Sequence, residues 1–197
     1  MATLSFSTHW PKRMGGQPTY FPDKILIGFD NWPQLCDQYS LNTPNNIDPF
    51  LYLNGNDRSS VLKPKTGTIR RGSRWKAGMK IHPVIHNRTK NRFQFAPCFM
   101  CKSVQGITIS HSYRMVEATW ENRRMNIRDV FIGSGKNQVH FACMSQHPED
   151  GEWAFELGAN ELKELAINDG FDSVEQFFQW FNEDFEGQII HWSDKKY

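Results

Sequence analysis

No Asp or Glu occurs between positions 58 and 114 of this 197-residue chain. That absence excludes a self-neutralised surface over the central third, because every charge there is Lys or Arg. A segregated basic strip makes a local positive potential that attracts phosphate, even though the net charge is only +2. From residue 144 onward the balance reverses, with many carboxylates against Lys163, Lys195 and Lys196. The N-terminal residues have no basic segment followed by an apolar one, so no secretory signal is expected. No apolar run is long enough to span a bilayer, so neither a membrane partner nor a membrane location is expected, and the cytoplasm is the default. With no secretory signal expected, the 4 cysteines read as thiols rather than a disulfide framework. Internal repeats and low-complexity tracts are missing as well, which excludes a solenoid. Aromatic side chains are abundant: 15 Phe and 7 Trp supply enough ring surface for a core although hydrophobic residues make up only 39%.

The patterning predicts an α+β protein. Residues 1–60 are loop-rich, with one amphipathic helix within 21–38 starting near Pro22 and Asp23, then an Asn/Pro/Gly-rich connection over 42–56. This part reads as an extension packing on the remainder as a lid or buttress. Strands are predicted over 79–86, 93–99, 104–110, 115–121, 127–132 and 138–143, with turns at 122–123 and 133–137. Short strands joined by turns point to a mixed or antiparallel barrel, with Pro83 and Pro97 at edges or bulges. A helix over 160–167 stops at Gly170. A second helix is capped by Asp172 or Ser173 and buries Phe177, Phe178, Trp180 and Phe181. A closing strand follows over 188–192.

The densest chemistry lies in residues 63–78. Lys63, Lys65, Arg70, Arg71, Arg74 and Lys76 stand there among Thr, Gly and Trp75. Arg gives bidentate phosphate contacts, glycine lets backbone approach a ligand, and Trp75 either stacks on a base or belongs to the core. Arg88, Lys90 and Arg92 form a second basic anchor in a polar turn. Cys98, Cys101, His140 and Cys143 have spacing compatible with zinc. Residues three apart on a strand point to opposite faces, however, so buried thiols are the reading preferred, and neither metal nor cofactor is expected.

Lys65-Thr-Gly-Thr-Ile-Arg70, followed by Trp75-Lys-Ala-Gly-Met-Lys-Ile-His82, resembles the K-x-x-T-I-R signature of ASCH domains in the PUA-like superfamily. Leu165-Ala-Ile-Asn-Asp-Gly-Phe-Asp-Ser173, the aromatic helix and the final Ile-Ile-His-Trp resemble that family's ending. The likeness covers roughly 63–192, implying a domain over 61–197 with an insertion near 123–153. The chain as a whole is similar to uncharacterised members from phages and Bacteroidetes-type bacteria. The resemblance implies a PUA-like barrel binding RNA, a nucleotide or a modified nucleoside. Some small bacterial members remove the acyl group of N4-acetylcytidine with a Lys, a Thr and a downstream Glu. By position these fall on Lys65, Thr68 and Asp169, the last an Asp where the family has the longer Glu. The phage likeness also implies a third possibility, a protein that binds a host protein through residues 123–153, flanked by Trp120 and Trp153.

Overall fold

A computed structural model of the chain describes residues 2–43, 49–50, 53, 62–117, 122–145 and 154–197, with no statement on the side chains of 114–117, 122–124 and 154–156. The elements follow from local sequence. Alternation in Thr3-Leu-Ser-Phe6 makes β1 (Ala2–Ser5), with Leu4 and Phe6 each 2% exposed. Two helices replace the single one expected over 21–38. α1 (Phe21–Leu26) and α2 (Trp32–Ser40) each carry a proline in their first turn. Pro33 suits a helix start, where a missing N–H costs nothing, and Gly28 lies in the break.

β2 (Gly67–Arg71), β3 (Lys80–Ile85), β4 (Phe93–Gln94) and β5 (Phe99–Met100) come next. Then β6 (Ser103–Glu117) and β7 (Asn122–Ile132) form a long hairpin, followed by β8 (Val139–Ser145) and β9 (Ala154–Leu157). The segments 104–110 and 115–117 are thus one strand, and Asn122 opens a strand rather than a turn. α3 (Ala159–Asn168), α4 (Val174–Trp180) and β10 (Phe185–His191) complete the chain. Gly170 (φ 93°) ends α3, and the Ser173 hydroxyl accepts from the Gln176 N–H to cap α4. Arg13 donates to the carbonyls of Gln179 and Trp180 at the C-terminal end of α4.

The strands form two sheets. One is antiparallel with order β2-β10-β6-β7-β8-β9; the other has order β1-β3-β4, with β5 also on β3 and β1–β3 parallel. This corrects the barrel expectation: among the described residues neither sheet closes on itself, and β2 and β9 are free edges. The reason lies in strand length, since β6 and β7 are single long strands where several short ones were expected. β7 and β8 are interior strands, burying Ile127, Val130, Ile132, Phe141 and Cys143, so the expected insertion contributes core. Pro83 falls between the two ladders of β3, after Ile81↔Phe99 and before Val84↔Gln94. Phe6, Trp10, Phe21, Phe171, Phe177 and Phe181 knit β1 to the two last helices, with Trp10 stacked on Phe171 at 5.4 Å. Among the described residues no helix is long and apolar enough to cross a membrane.

Candidate functional site

Lys65 lies two residues before β2, and its backbone is held on both sides. Its N–H donates to the Lys24 carbonyl at 2.9 Å, and its carbonyl accepts from Trp192 Nε1 at 3.1 Å. Thr66 N–H donates to the Asn168 carbonyl, which brings the end of α3 against the start of β2. Lys65 Nζ therefore reaches Asp169 and donates to both its carboxylate Oδ1 and its carbonyl. The ammonium sits 4.7 Å from the centre of the Phe21 ring. Burial pushes Lys65 down to about 8 from 10.5, against the opposing pull of the Asp169 carboxylate.

Thr68 is 1% exposed and lines the same wall as Asp169, yet its hydroxyl has no hydrogen-bond partner among the described residues. His191 Nε2, on that wall too, has none either. Burial, aided by the Lys196 charge, pushes His191 down to about 4, and burial pushes the Tyr197 phenol up. The space between these groups is too narrow for a water molecule. The structure thus joins Lys65 directly to Asp169, brings Thr68 alongside, and closes the corner. An ammonium bonded to a carboxylate cannot act as a base until that contact opens.

The open space lies on the other side of Arg70. A groove of about 890 Å³ runs along β1 (Ala2–Ser5) and is walled by Arg70, Arg71, Arg74, Trp75 and Met79. Asn87 and Arg88 also line it, and no Asp or Glu is among its described lining residues. Two arginines hold the floor in place: Arg70 Nη2 donates to Ser5 O at 2.8 Å, and Arg74 Nη2 to Thr3 O at 3.0 Å. A guanidinium has five N–H donors, so both keep donors for a ligand. Gly187 of β10 permits the close approach of β2, because a Cβ there would collide with the Arg70 carbonyl. Arg88 adopts φ 66°, a left-handed conformation unusual for a non-glycine residue. Trp75 is 3% exposed and clamped by Gln188, which accepts from its N–H at 3.1 Å and donates to its carbonyl at 3.3 Å. Arg74 lies 5.1 Å over its ring. Trp75 thus supports the wall, with the guanidinium of Arg74 stacked on it.

The other expected ligand contacts lie elsewhere. Lys63 borders a smaller pocket with Lys24 and Asp172, while Lys76, Lys90 and Arg92 are exposed and do not line the groove. Sequence reasoning missed the β1 floor, although the alternation of Thr3, Leu4, Ser5 and Phe6 carries its signal. The zinc-spaced residues separate: His140 bonds Asp129 at 2.8 Å, Cys98 meets His82, and Cys101 and Cys143 bond backbone carbonyls. Among the described residues no group of three metal-ligating side chains occurs. Arg58, Trp120 and Trp153 lie outside the described residues, as does most of the 42–56 connection. Comparison with protein-family models, curated proteins and solved structures finds no match for this chain.

Proposed function

We propose that the chain binds the phosphate groups of RNA, or of a modified nucleotide, in the arginine groove. One observation carries this reading: Arg70, Arg71, Arg74 and Arg88 converge from two separate basic segments on one groove with no carboxylate among its described lining residues. Guanidinium donors match phosphate oxygens bidentately. The PUA-like assignment is part of the proposal. It is supported by the K-x-x-T-I-R segment on a strand next to β10 and by the order helix, Gly170-Phe171, helix, strand. With three or four phosphates neutralised, affinity for single-stranded RNA falls about 20- to 50-fold between 50 and 200 mM salt. Fluorescence anisotropy with a labelled oligonucleotide measures this, and a salt-independent signal rejects the proposal.

The unpartnered Thr68 hydroxyl favours a second reading, acyl removal from an N4-acylcytidine-type nucleoside. Once a substrate displaces the Lys65–Asp169 contact, the Thr68 oxygen would attack the acyl carbon while the neutral Lys65 amine takes the hydroxyl proton and passes it to the departing N4 amine. Water would then hydrolyse the threonine ester to the free acid. Release of the free acid from a panel of acylated nucleosides tests it. Turnover must vanish in Lys65→Ala and in Thr68→Val, and a folded chain without turnover removes this reading.

A further inference from the structure

Pro83 cannot donate to a ladder, and the strand facing β3 is split there into β4 and β5. The connecting residues 95–98 arch over the gap, anchored by Phe95 N–H donating to the Pro83 carbonyl at 3.3 Å. His82 occupies that gap, Gln94 ends β4 and Cys98 immediately precedes β5. The arch therefore brings three chemically active side chains together. Cys98 Sγ lies 3.1 Å from His82 Nδ1, and Gln94 Nε2 lies 3.6 Å from the same sulfur. Gln94 Oε1 is 3.4 Å from His82 Nδ1 and its Nε2 donates to the Ala96 carbonyl at 3.0 Å, so the amide is fixed between the two. Tyr39 borders the cluster, its phenol pushed up by burial and then by the charge of Cys98. Cys98, His82 and Gln94 are each half-buried, which admits a small reagent. Cys101, by contrast, is 1% exposed and donates to the Ser103 carbonyl.

A thiol within reach of an imidazole, with a third group orienting both, is the arrangement of an activated nucleophile. We infer that Cys98 is a nucleophilic thiol, served by His82 as base and Gln94 as amide donor, that reduces small hydroperoxides and is itself converted to a sulfenic acid. The sulfur attacks one peroxide oxygen, forming the S–O bond as the O–O bond breaks. The thiol proton passes through His82 to the departing oxygen, which leaves as water or an alcohol. Sulfur loses two electrons and the peroxide gains them, and an external thiol later returns Cys98 to the reduced form. The Gln94 N–H lies on the sulfur side, where it stabilises the thiolate that forms when His82 takes the thiol proton, before the attack.

The test treats the full chain with hydrogen peroxide at pH 7 in the presence of dimedone and follows each cysteine peptide by mass spectrometry. Cys98 is expected to be trapped at least about tenfold faster than N-acetylcysteine under the same conditions. In His82→Gln the rate drops by about tenfold or more, while Cys101 and Cys143 stay protected and report an intact fold. A Cys98 rate equal to that of the free thiol overturns the inference, and so does an unchanged rate in the folded His82→Gln variant. Should His82→Gln expose Cys101, Gln94→Met replaces it as the variant, and the comparison with N-acetylcysteine still decides.

Discussion

Replacing Lys65 by Met removes an ammonium whose carboxylate partner is 7% exposed and cannot turn to water. The Met side chain fills a similar volume against Phe6 and Phe21, so the loss is electrostatic rather than a cavity. An uncompensated buried carboxylate costs about 3–5 kcal/mol, and relief of the buried ammonium, which burial pushes down, offsets part of that in Lys65→Met. Adding Asp169→Asn to Lys65→Met removes that charge, and the double variant is expected to regain most of the loss. A double-mutant cycle should then give a coupling of at least about 2 kcal/mol. The pH dependence has a definite sign. Lys65 sits at about 8 in the folded state against 10.5 unfolded, so between these values the unfolded chain holds the extra proton. Stability contributed by this group relative to Lys65→Met therefore rises as pH climbs from 8 to 10.5. Urea midpoints at pH 7 and pH 10 for the unsubstituted chain and the three variants measure both effects. A Lys65→Met cost below about 1 kcal/mol, or strict additivity with Asp169→Asn, refutes the buried pair.

Gly170→Ala should destabilise by about 2–4 kcal/mol in the same assay, because φ is 93° and a Cβ would stand 2.8 Å from Phe21 Cε1 and 3.1 Å from Lys65 Cδ. His191 is held neutral, at about 4 against 6.5 unfolded, so its contribution is fully present above pH 6.5 and is lost as pH falls toward 4. Its replacement by Gln should reduce the loss of stability between pH 7 and pH 4.5 by about 2–3 kcal/mol. Arg70→Ala frees the Ser5 carbonyl and should speed amide exchange along β1 while leaving α3 protected.

The C-terminal third was the most legible part, because its signals are local. Leucines at helical spacing, Gly170 at a positive φ, and Ser173 three residues before the N–H its hydroxyl accepts from mark each boundary without help from distant chain. β3, β8 and β10 also lie where their β-forming residues place them. Sheet closure was not legible, since it depends on whether β2 and β9 meet, a property of neither strand. A proline such as Pro33 reads equally as a break or as a helix start, and here it begins α2. The charge segregation pointed to Arg70, Arg71, Arg74 and Arg88. It could not show that Lys76, Lys90 and Arg92 point elsewhere, nor that β1 forms the floor between the arginines. The family resemblance alone pairs Lys65 and Asp169 as candidates, and only the structure shows that they meet. The His82–Cys98 pair had no sequence signal, because it arises from the interrupted ladder at Pro83.

Charge mapping of RNA binding bears most directly on the groove. Arg71 and Arg88 are exposed and neither tethers β1, so Arg71→Ala with Arg88→Ala leaves the fold's hydrogen bonds in place. Lys102→Ala, outside the groove and paired with Asp194, is the control. At 100 mM salt the double variant should weaken single-stranded RNA binding by about tenfold or more and flatten the salt slope by about 1.4, with Lys102→Ala unchanged. Equal effects from the control and the double variant, or no effect from either, would contradict a nucleic-acid site in the arginine groove.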